Sequence, residues 1–219
     1  MIRSLVVASV VTVLIAPAVW PVPAAAQAPA EWDGLAQRPS RAVDLLFVRP
    51  GASLEGFKAV RLAPLQVSFD ENWDPNRGTR ANRLTAADFQ RIKDTLAREF
   101  ARASASELAR SGYAIVQRSG PDVLDVQPFI VDLFITAPGR TGAGRTRTYT
   151  ANPGRMTLVA ELRDSETNTI LARVVDRRNA PSSGVFQLTT SVTNIGAARQ
   201  IIQRWANALR TALDAANGR

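Results

Sequence analysis

The sequence has neither cysteine nor histidine among its 219 residues. The absence of cysteine excludes disulfides and thiolate metal sites. The absence of histidine removes the commonest general base and the commonest metal ligand, and with them every nucleophile–histidine pair. These two gaps exclude most familiar hydrolase and metalloenzyme designs, and we therefore expect neither a cofactor nor an enzymatic activity.

Lysine is scarce as well, since Lys58 and Lys93 are the only lysines among the 27 basic residues. The 19 acidic residues leave a net charge of +8. A GC-rich genome is one explanation of the arginine bias. The other explanation is functional, because a basic surface favours acidic partners such as lipid head groups, lipopolysaccharide or nucleic acid.

The N-terminal 30 residues set the expected compartment. They contain a single positive charge, an apolar core from Leu5 to Ala16 and a small-residue end, which is typical of a secretory signal peptide. An uncleaved membrane anchor is the alternative, but three prolines between residues 17 and 23 interrupt such a helix. We predict a signal peptide over residues 1–26, cleavage after Ala26 or Ala28, and a periplasmic protein, for which nucleic acid is not an expected partner.

The remaining chain divides into a flexible leader and one folded domain. Residues 27–41 are rich in proline, alanine and polar residues, which predicts the leader. Residues 42–217 are predicted to form a single α+β domain. Apolar residues alternate from Phe57 to Phe69, which predicts a strand with a break near Pro64.

Two segments have the periodicity of amphipathic helices. The first runs from Thr85 to Ser111, where Thr85 and Asp88 resemble a capping box and Gly112 is a natural stop. The second runs from residue 195 to residue 216. Each carries a stripe of large apolar residues along one side, so both are expected to cover a sheet.

Hairpin-like strand patterns follow the first helix. Strands are predicted over residues 113–117, 123–136, 156–162 and 170–176. Pro128 is expected either to bend its strand or to mark a sheet edge. This order of elements favours an α+β fold with a mostly antiparallel sheet of about five strands and the two helices packed on one face.

The stretch "GRTGAGRT", residues 139–146, has the glycine spacing of a phosphate-binding loop. Arg145 replaces the lysine of that motif, and the following residues are rich in β-branched side chains and end at Pro153, so no helix begins there. We therefore expect no nucleotide. The segment is instead expected to be an exposed hairpin loop, and four arginines in and after it are the candidates for contact with an acidic surface: Arg140, Arg145, Arg147 and Arg155.

The stretch "DENWDPNRG" after residue 69 has oxygen-bearing side chains at alternate positions, as a calcium loop does. Its sixth position is Pro75 where glycine is required, and its twelfth is Ala81 where glutamate is required. We therefore predict an ordinary turn and no metal. Trp73 in this turn either caps the core or is exposed for a partner.

Acidic pairs and lysines supply the remaining catalytic candidates. Carboxylates for glycoside chemistry are found at Asp125, Asp132, Asp164, Glu166 and Asp176. Their spacing specifies no site, and surface charge is the simpler explanation. A serine–lysine hydrolase would need Lys58 or Lys93 as its base, and no S-x-x-K motif is present.

Two stretches resemble one known family. "FVRPGASLEGFKAVRLAPLQVSF" followed by Trp73, and "LVAELRDSETNTILARVVDRR", are similar to the signatures of the domain of unknown function (DUF) 3313 family of bacterial envelope proteins. Asn168 stands where that family usually has glycine, and Asp164 in such a turn is expected to bond nearby backbone amides. The resemblance implies an exported envelope protein with no established activity. Many members are lipoproteins, but this sequence lacks the acylated cysteine.

The leading hypothesis is a non-catalytic envelope protein that binds another protein or an acidic envelope component such as lipid or lipopolysaccharide. The alternative is a carrier of a small ligand held in an apolar pocket between the sheet and the helices. A hydrolase built on carboxylates or lysine is the third class.

Overall fold

The computed structural model describes residues 31–74, 84–135, 149–150, 154–180, 187–188 and 191–219. Within them the chain forms two helices and eleven strands. The helices are α1 (Ala86–Arg110) and α2 (Ser191–Asn217). The strands are β1 (Glu31–Trp32), β2 (Leu35–Arg38), β3 (Leu45–Val48), β4 (Ala59–Leu62), β5 (Gln66–Phe69), β6 (Ala114–Ile115), β7 (Val123–Ile135), β8 (Tyr149–Thr150), β9 (Gly154–Asp164), β10 (Ile170–Asn179) and β11 (Gln187–Leu188).

Nine of these strands form one mixed sheet. Its order is β1-β2-β3-β10-β9-β7-β4-β6, with β5 paired to β7 beside β4, while β8 and β11 form a separate pair. The α+β class is confirmed, but the expected sheet of about five mostly antiparallel strands is wrong. β4 and β5 are parallel to β7, and β6 is parallel to β4. The parallel direction arises because α1 returns the chain to the end of the sheet where β4 began.

The predicted break near Pro64 is confirmed, because β4 and β5 are separate strands on either side of it. The partner of β7 changes from β4 to β5 between Val126 and Phe129. Pro128 occupies this gap and is fully buried. A proline has no N–H to donate, so it is tolerated where the neighbouring strand is interrupted. It does not mark a sheet edge, since β9 pairs with β7 on the other side.

The predicted flexible leader over residues 27–41 is wrong for residues 31–32 and 35–38, because these residues form β1 and β2. Leu35 is fully buried, and β2 pairs with β3. Trp32 packs edge-on against Phe47 with 5.6 Å between the ring centroids. Neither β1 nor β2 contains a β-branched residue, which is why local composition did not indicate a strand.

Both predicted helices are present. The capping box at the start of α1 is confirmed, since Thr85 and Asp88 bond each other's backbone N–H groups. Gly112 follows the helix with a φ of 75°, a conformation that favours glycine. Both helices pack on the same sheet face, in one core cluster. Its members include Leu96 and Phe100 from α1, Ile202 and Trp205 from α2, and Ile130, Met156, Leu158 and Ala160 from the sheet.

A seam of paired charges lies between the two helices, where glutamates of α1 accept hydrogen bonds from arginines. Glu99 of α1 accepts hydrogen bonds from Arg199 of α2, at 2.7 Å, and from Arg102. The bonds from Arg199 and then Arg102 lower the pKa of Glu99 to about 2. Two turns further along, the buried Glu107 accepts a bond from Arg210 of α2 at 3.0 Å. The seam therefore aligns the helices by charge as well as by apolar contact.

The buried side chain of Asp176 joins the helix layer to the sheet. It is inaccessible to solvent. One carboxylate oxygen accepts from the indole N–H of Trp205 at 2.6 Å and from Nε of Arg178 at 2.6 Å. The other accepts from the backbone N–H of Asp44 at 3.1 Å. One residue thus connects α2, β10 and the chain entering β3.

We expect Asp176→Ala to lower the free energy of unfolding by about 3 kcal/mol, because it leaves the guanidinium of Arg178 and the indole N–H of Trp205 without their acceptor. Urea unfolding monitored by tryptophan fluorescence measures the change. The control is Glu166→Ala, an exposed acidic residue, for which we expect a change within about 0.5 kcal/mol. Equal effects of the two substitutions would contradict the role given to Asp176.

The Glu99 seam predicts a loss of stability in acid. A carboxylate whose folded pKa is about 2 stabilises the fold fully above its ordinary value of 4.5, and this contribution disappears as the pH falls towards 2. Thermal unfolding of the parent and of Glu99→Gln should therefore differ most at ~pH 6 and converge at low pH. The control is Glu71→Gln, at an exposed residue outside the seam, and the same pH dependence in both variants would contradict the role given to Glu99.

Candidate functional site

Four strand ends meet at one end of the sheet. β5 and β7 are parallel, while β7, β9 and β10 alternate in direction. Phe69, Ile135 and Asn179 therefore end their strands at the same side on which Gly154 begins β9. We call this side the arginine end, for the residues described next.

The segments that connect elements at the arginine end differ in charge. The β5–α1 connection, residues 70–85, contains three arginines and three acidic residues, whereas the β7–β9 connection, residues 136–153, contains three arginines and no acidic residue. Residues 180–190, before α2, contain neither. Arg140, Arg145 and Arg147, three of the predicted contacts, lie outside the described residues. So do Arg77, Arg80 and Arg83, which the sequence analysis did not single out. Because β5 and β7 are parallel, both connections begin on this side of the sheet.

Arg155, the fourth predicted contact, lies within the described residues, and it links β9 to the residue that follows β5. Its guanidinium forms an ion pair with Asp70, which follows β5. It also lies over the ring of Phe134, with 4.4 Å between the guanidinium carbon and the ring centroid. The bond from Arg155, followed by that from the Asn72 backbone, lowers the pKa of Asp70. With 31% of its side chain exposed, Arg155 also reaches the surface.

An aromatic cluster of Phe69, Trp73 and Phe89 lies beside this ion pair. The rings of Phe69 and Trp73 stack at 4.7 Å, and Phe89 meets both edge-on. The indole N–H of Trp73 donates to the carbonyl of Ile135 at 2.8 Å. Trp73 was expected either to cap the core or to be exposed for a partner, and the structure shows that it caps the core. Lys93 lies 5.7 Å from the centroid of the Phe69 ring.

In the turn that resembles a calcium loop, the first carboxylate, Asp70, is bonded to other groups of the protein. Asp70 binds Arg155 with one oxygen and accepts from the backbone N–H of Asn72 with the other, at 2.9 Å. Within the described part of the chain, no group of three or more acidic residues is arranged to hold a metal ion.

The carboxylates considered for catalysis lie apart in the fold. Asp125 is held by Arg61 through two bonds of 2.8 and 2.9 Å, and Asp176 lies under Trp205 on the opposite sheet face. Asp132 has a φ of 54° at an irregularity in the pairing of β7 with β9. Glu166 is exposed in the turn before β10. The structure therefore does not bring these four side chains into one site.

Asp164 has the turn-forming role expected of it. Its Oδ1 accepts from the backbone N–H groups of Glu166 and Thr167, at 3.0 and 2.8 Å. These bonds, led by that from Thr167, lower the pKa of Asp164. Asn168 has a φ of 57°, the left-handed conformation in which glycine is usual and asparagine is tolerated. The turn motif is thus a folding element.

The described residues define a two-layer α+β protein. The chain belongs to the family described as protein of unknown function (DUF3313), whose model matches residues 25–209. This confirms the resemblance seen in the two sequence stretches. The comparison with curated proteins found no match.

Several solved structures are similar to this chain at low identity. A protein of family DUF330 from Xanthomonas campestris is 16% identical, with a TM-score of 0.39, over 74% of this chain and 86% of that one. A PelC dodecamer from Paraburkholderia phytofirmans is 10% identical, with a TM-score of 0.33, over 74% and 96%. A homolog of a neuraminyllactose-binding hemagglutinin from Helicobacter pylori is 8% identical, with a TM-score of 0.35, over 72% and 86%. TM-scores this low extend no role of these proteins to this chain.

Neither helix in the described residues has the length and apolar character needed to cross a membrane.

We expect Arg155→Gln to lower the temperature of unfolding, because Asp70 loses its ion pair and Phe134 loses the guanidinium over its ring. Calorimetry on Arg155→Gln, Asp70→Asn and the double variant tests this. If the ion pair matters, the double variant should lose less than the sum of the two single losses. Arg118→Gln, at an exposed arginine, is the control. Strict additivity would show that the pair contributes nothing.

Proposed function

We propose that the protein is exported to the periplasm and acts there as a non-catalytic interaction module that binds an acidic component of the envelope through the arginine end. The carrying observation is that residues 136–153, which contain three arginines and no acidic residue, follow the end of β7 on this side of the sheet. The N-terminal signal-peptide pattern supports the compartment.

Arginine suits such a surface because its planar guanidinium can bind two oxygens of a phosphate or carboxylate at once. The segments 75–83 and 136–153 contribute six arginines, and the acidic residues Asp70, Glu71 and Asp74 precede the first of these segments. Arg155 and the aromatic cluster provide a folded base next to the points where these segments begin and end. A rigid base with cationic segments favours contact with an extended acidic surface.

The carrier hypothesis requires space between the sheet and the helices. In the described residues that region holds Phe100, Ile130, Met156 and Trp205, buried together in one core cluster. This packing favours the interaction module over the carrier. A native mass spectrum of protein purified gently from its host distinguishes them, since a carrier would show a retained mass of a few hundred daltons.

We expect the quadruple variant Arg140→Gln, Arg145→Gln, Arg147→Gln, Arg155→Gln to bind acidic vesicles about tenfold or more weakly, because each arginine near an anionic surface contributes about 1 kcal/mol. Co-sedimentation with vesicles of phosphatidylcholine, with and without phosphatidylglycerol, measures the affinity. Binding by the parent should weaken as salt is added, since screening reduces attraction between exposed charges.

Two controls make the result specific. Arg155→Gln alone separates the loss of the ion pair with Asp70 from the loss of surface charge. A second quadruple variant removes the same charge elsewhere, at exposed arginines away from the arginine end: Arg98, Arg110, Arg118 and Arg204, each to glutamine. If both quadruple variants bind equally well, or if the first binds as the parent does, recognition of an acidic surface by this end is ruled out.

A further inference from the structure

The sheet face that points away from the helices carries an apolar row. Leu45, Val175, Val159 and Phe129 are direct pairing partners across β3, β10, β9 and β7. Each is partly accessible to solvent. None belongs to the two core clusters of the described residues, which lie on the helix side. With strands about 4.8 Å apart, the row spans roughly 14 Å.

Two rows of polar and charged residues run beside the apolar row. The nearer one joins Arg173, Glu161 and Gln127 across β10, β9 and β7. The next joins Arg163, Asp125 and Arg61 across β9, β7 and β4. Glu161 accepts from Arg173 at 2.6 Å. Asp125 accepts from Arg61 at 2.8 Å. Opposite charges therefore alternate along this face and are satisfied by each other.

The two ends of these charged rows expose opposite signs. On the β4 side the cation is outside, since 33% of the Arg61 side chain is exposed but only 6% of its partner Asp125. On the β1 side the anion is outside, since 62% of the Asp33 side chain is exposed but only 7% of its partner Arg173. Trp32 covers Arg173 from above, at 4.1 Å from its ring centroid.

We propose that two copies of the chain associate through this face, about a two-fold axis parallel to the strands. With such an axis, the apolar row of one copy lies on the apolar row of the other. The charged rows also face each other, with the β4 side of one copy opposite the β1 side of its partner. The exposed Arg61 of each copy then approaches the exposed Asp33 of its partner. A symmetric interface needs a self-complementary surface, and an apolar row bordered by charges of opposite sign at its two ends provides one.

The direction of the axis has a consequence for binding. Because it is parallel to the strands, both arginine ends point to the same side of the dimer. This consequence rests on the proposed function, whereas the self-association does not. Two arginine ends engaging one acidic surface together would bind more tightly than one, without any new contact.

The test is the molar mass of the purified full chain by sedimentation equilibrium across a concentration series. We expect a monomer–dimer equilibrium for the parent. Val159→Lys, which places a charge in the apolar row, should raise the dissociation constant about tenfold or more. Ile115→Lys is the matched control, because Ile115 has a similar aliphatic side chain, exposed on β6, outside the row. It should leave the equilibrium unchanged.

A charge exchange tests the proposed orientation. Arg61→Asp and Asp33→Arg should each weaken association by about fivefold, and the double variant should recover at least part of that loss. Circular dichroism confirms that each variant is folded. A parent that stays monomeric at all concentrations, or a folded Val159→Lys that still dimerises like the parent, overturns the proposal. A double variant no better than the single ones overturns the two-fold arrangement. None of these measurements involves vesicles, so their outcome is independent of the acidic-surface test.

Discussion

β7 is hydrogen-bonded in parallel to β4 and β5 on one side and in antiparallel fashion to β9 on the other. This pairing places α1 as a crossover on one face of the sheet, next to α2, and so creates the two layers. It also fixes which strand ends lie together. The segment before α1 and the segment after β7 leave the sheet at one end only because β5 and β7 share a direction.

The scarcity of lysine has a structural explanation beyond genome composition. Arg61 uses Nε and a terminal nitrogen to hold both oxygens of Asp125, and Arg178 binds both oxygens of the buried Asp176 in the same way. Lysine carries a single charged nitrogen and cannot form such two-point bonds. Arg61 and Arg178 thus form ion pairs with acidic residues of the fold. The arginines of residues 136–153 lie in a segment that contains no acidic residue, and the proposed binding rests on that composition.

Membership of the DUF3313 family provides no catalytic role, and the candidate carboxylates are distributed over separate structural tasks. Asp125 is part of a charged row, Asp164 forms a turn, and Asp176 joins α2 to the sheet. The described residues thus include a seam of paired charges between the helices, an apolar row on the opposite sheet face, and the arginine end. The last two are the surfaces whose composition favours a partner.

The sequence alone determined the local elements. The capping box at Thr85, the break at Pro64, the turn at Asp164 and both helices could be predicted because a few adjacent residues specify each one. The mixed sheet and the placement of the ends of β5 and β7 on the same side could not. They depend on pairing between residues that are far apart in the chain, and on the direction in which a crossover helix returns it. Local patterns encode conformation, whereas the choice of neighbours is made only when the whole core is buried.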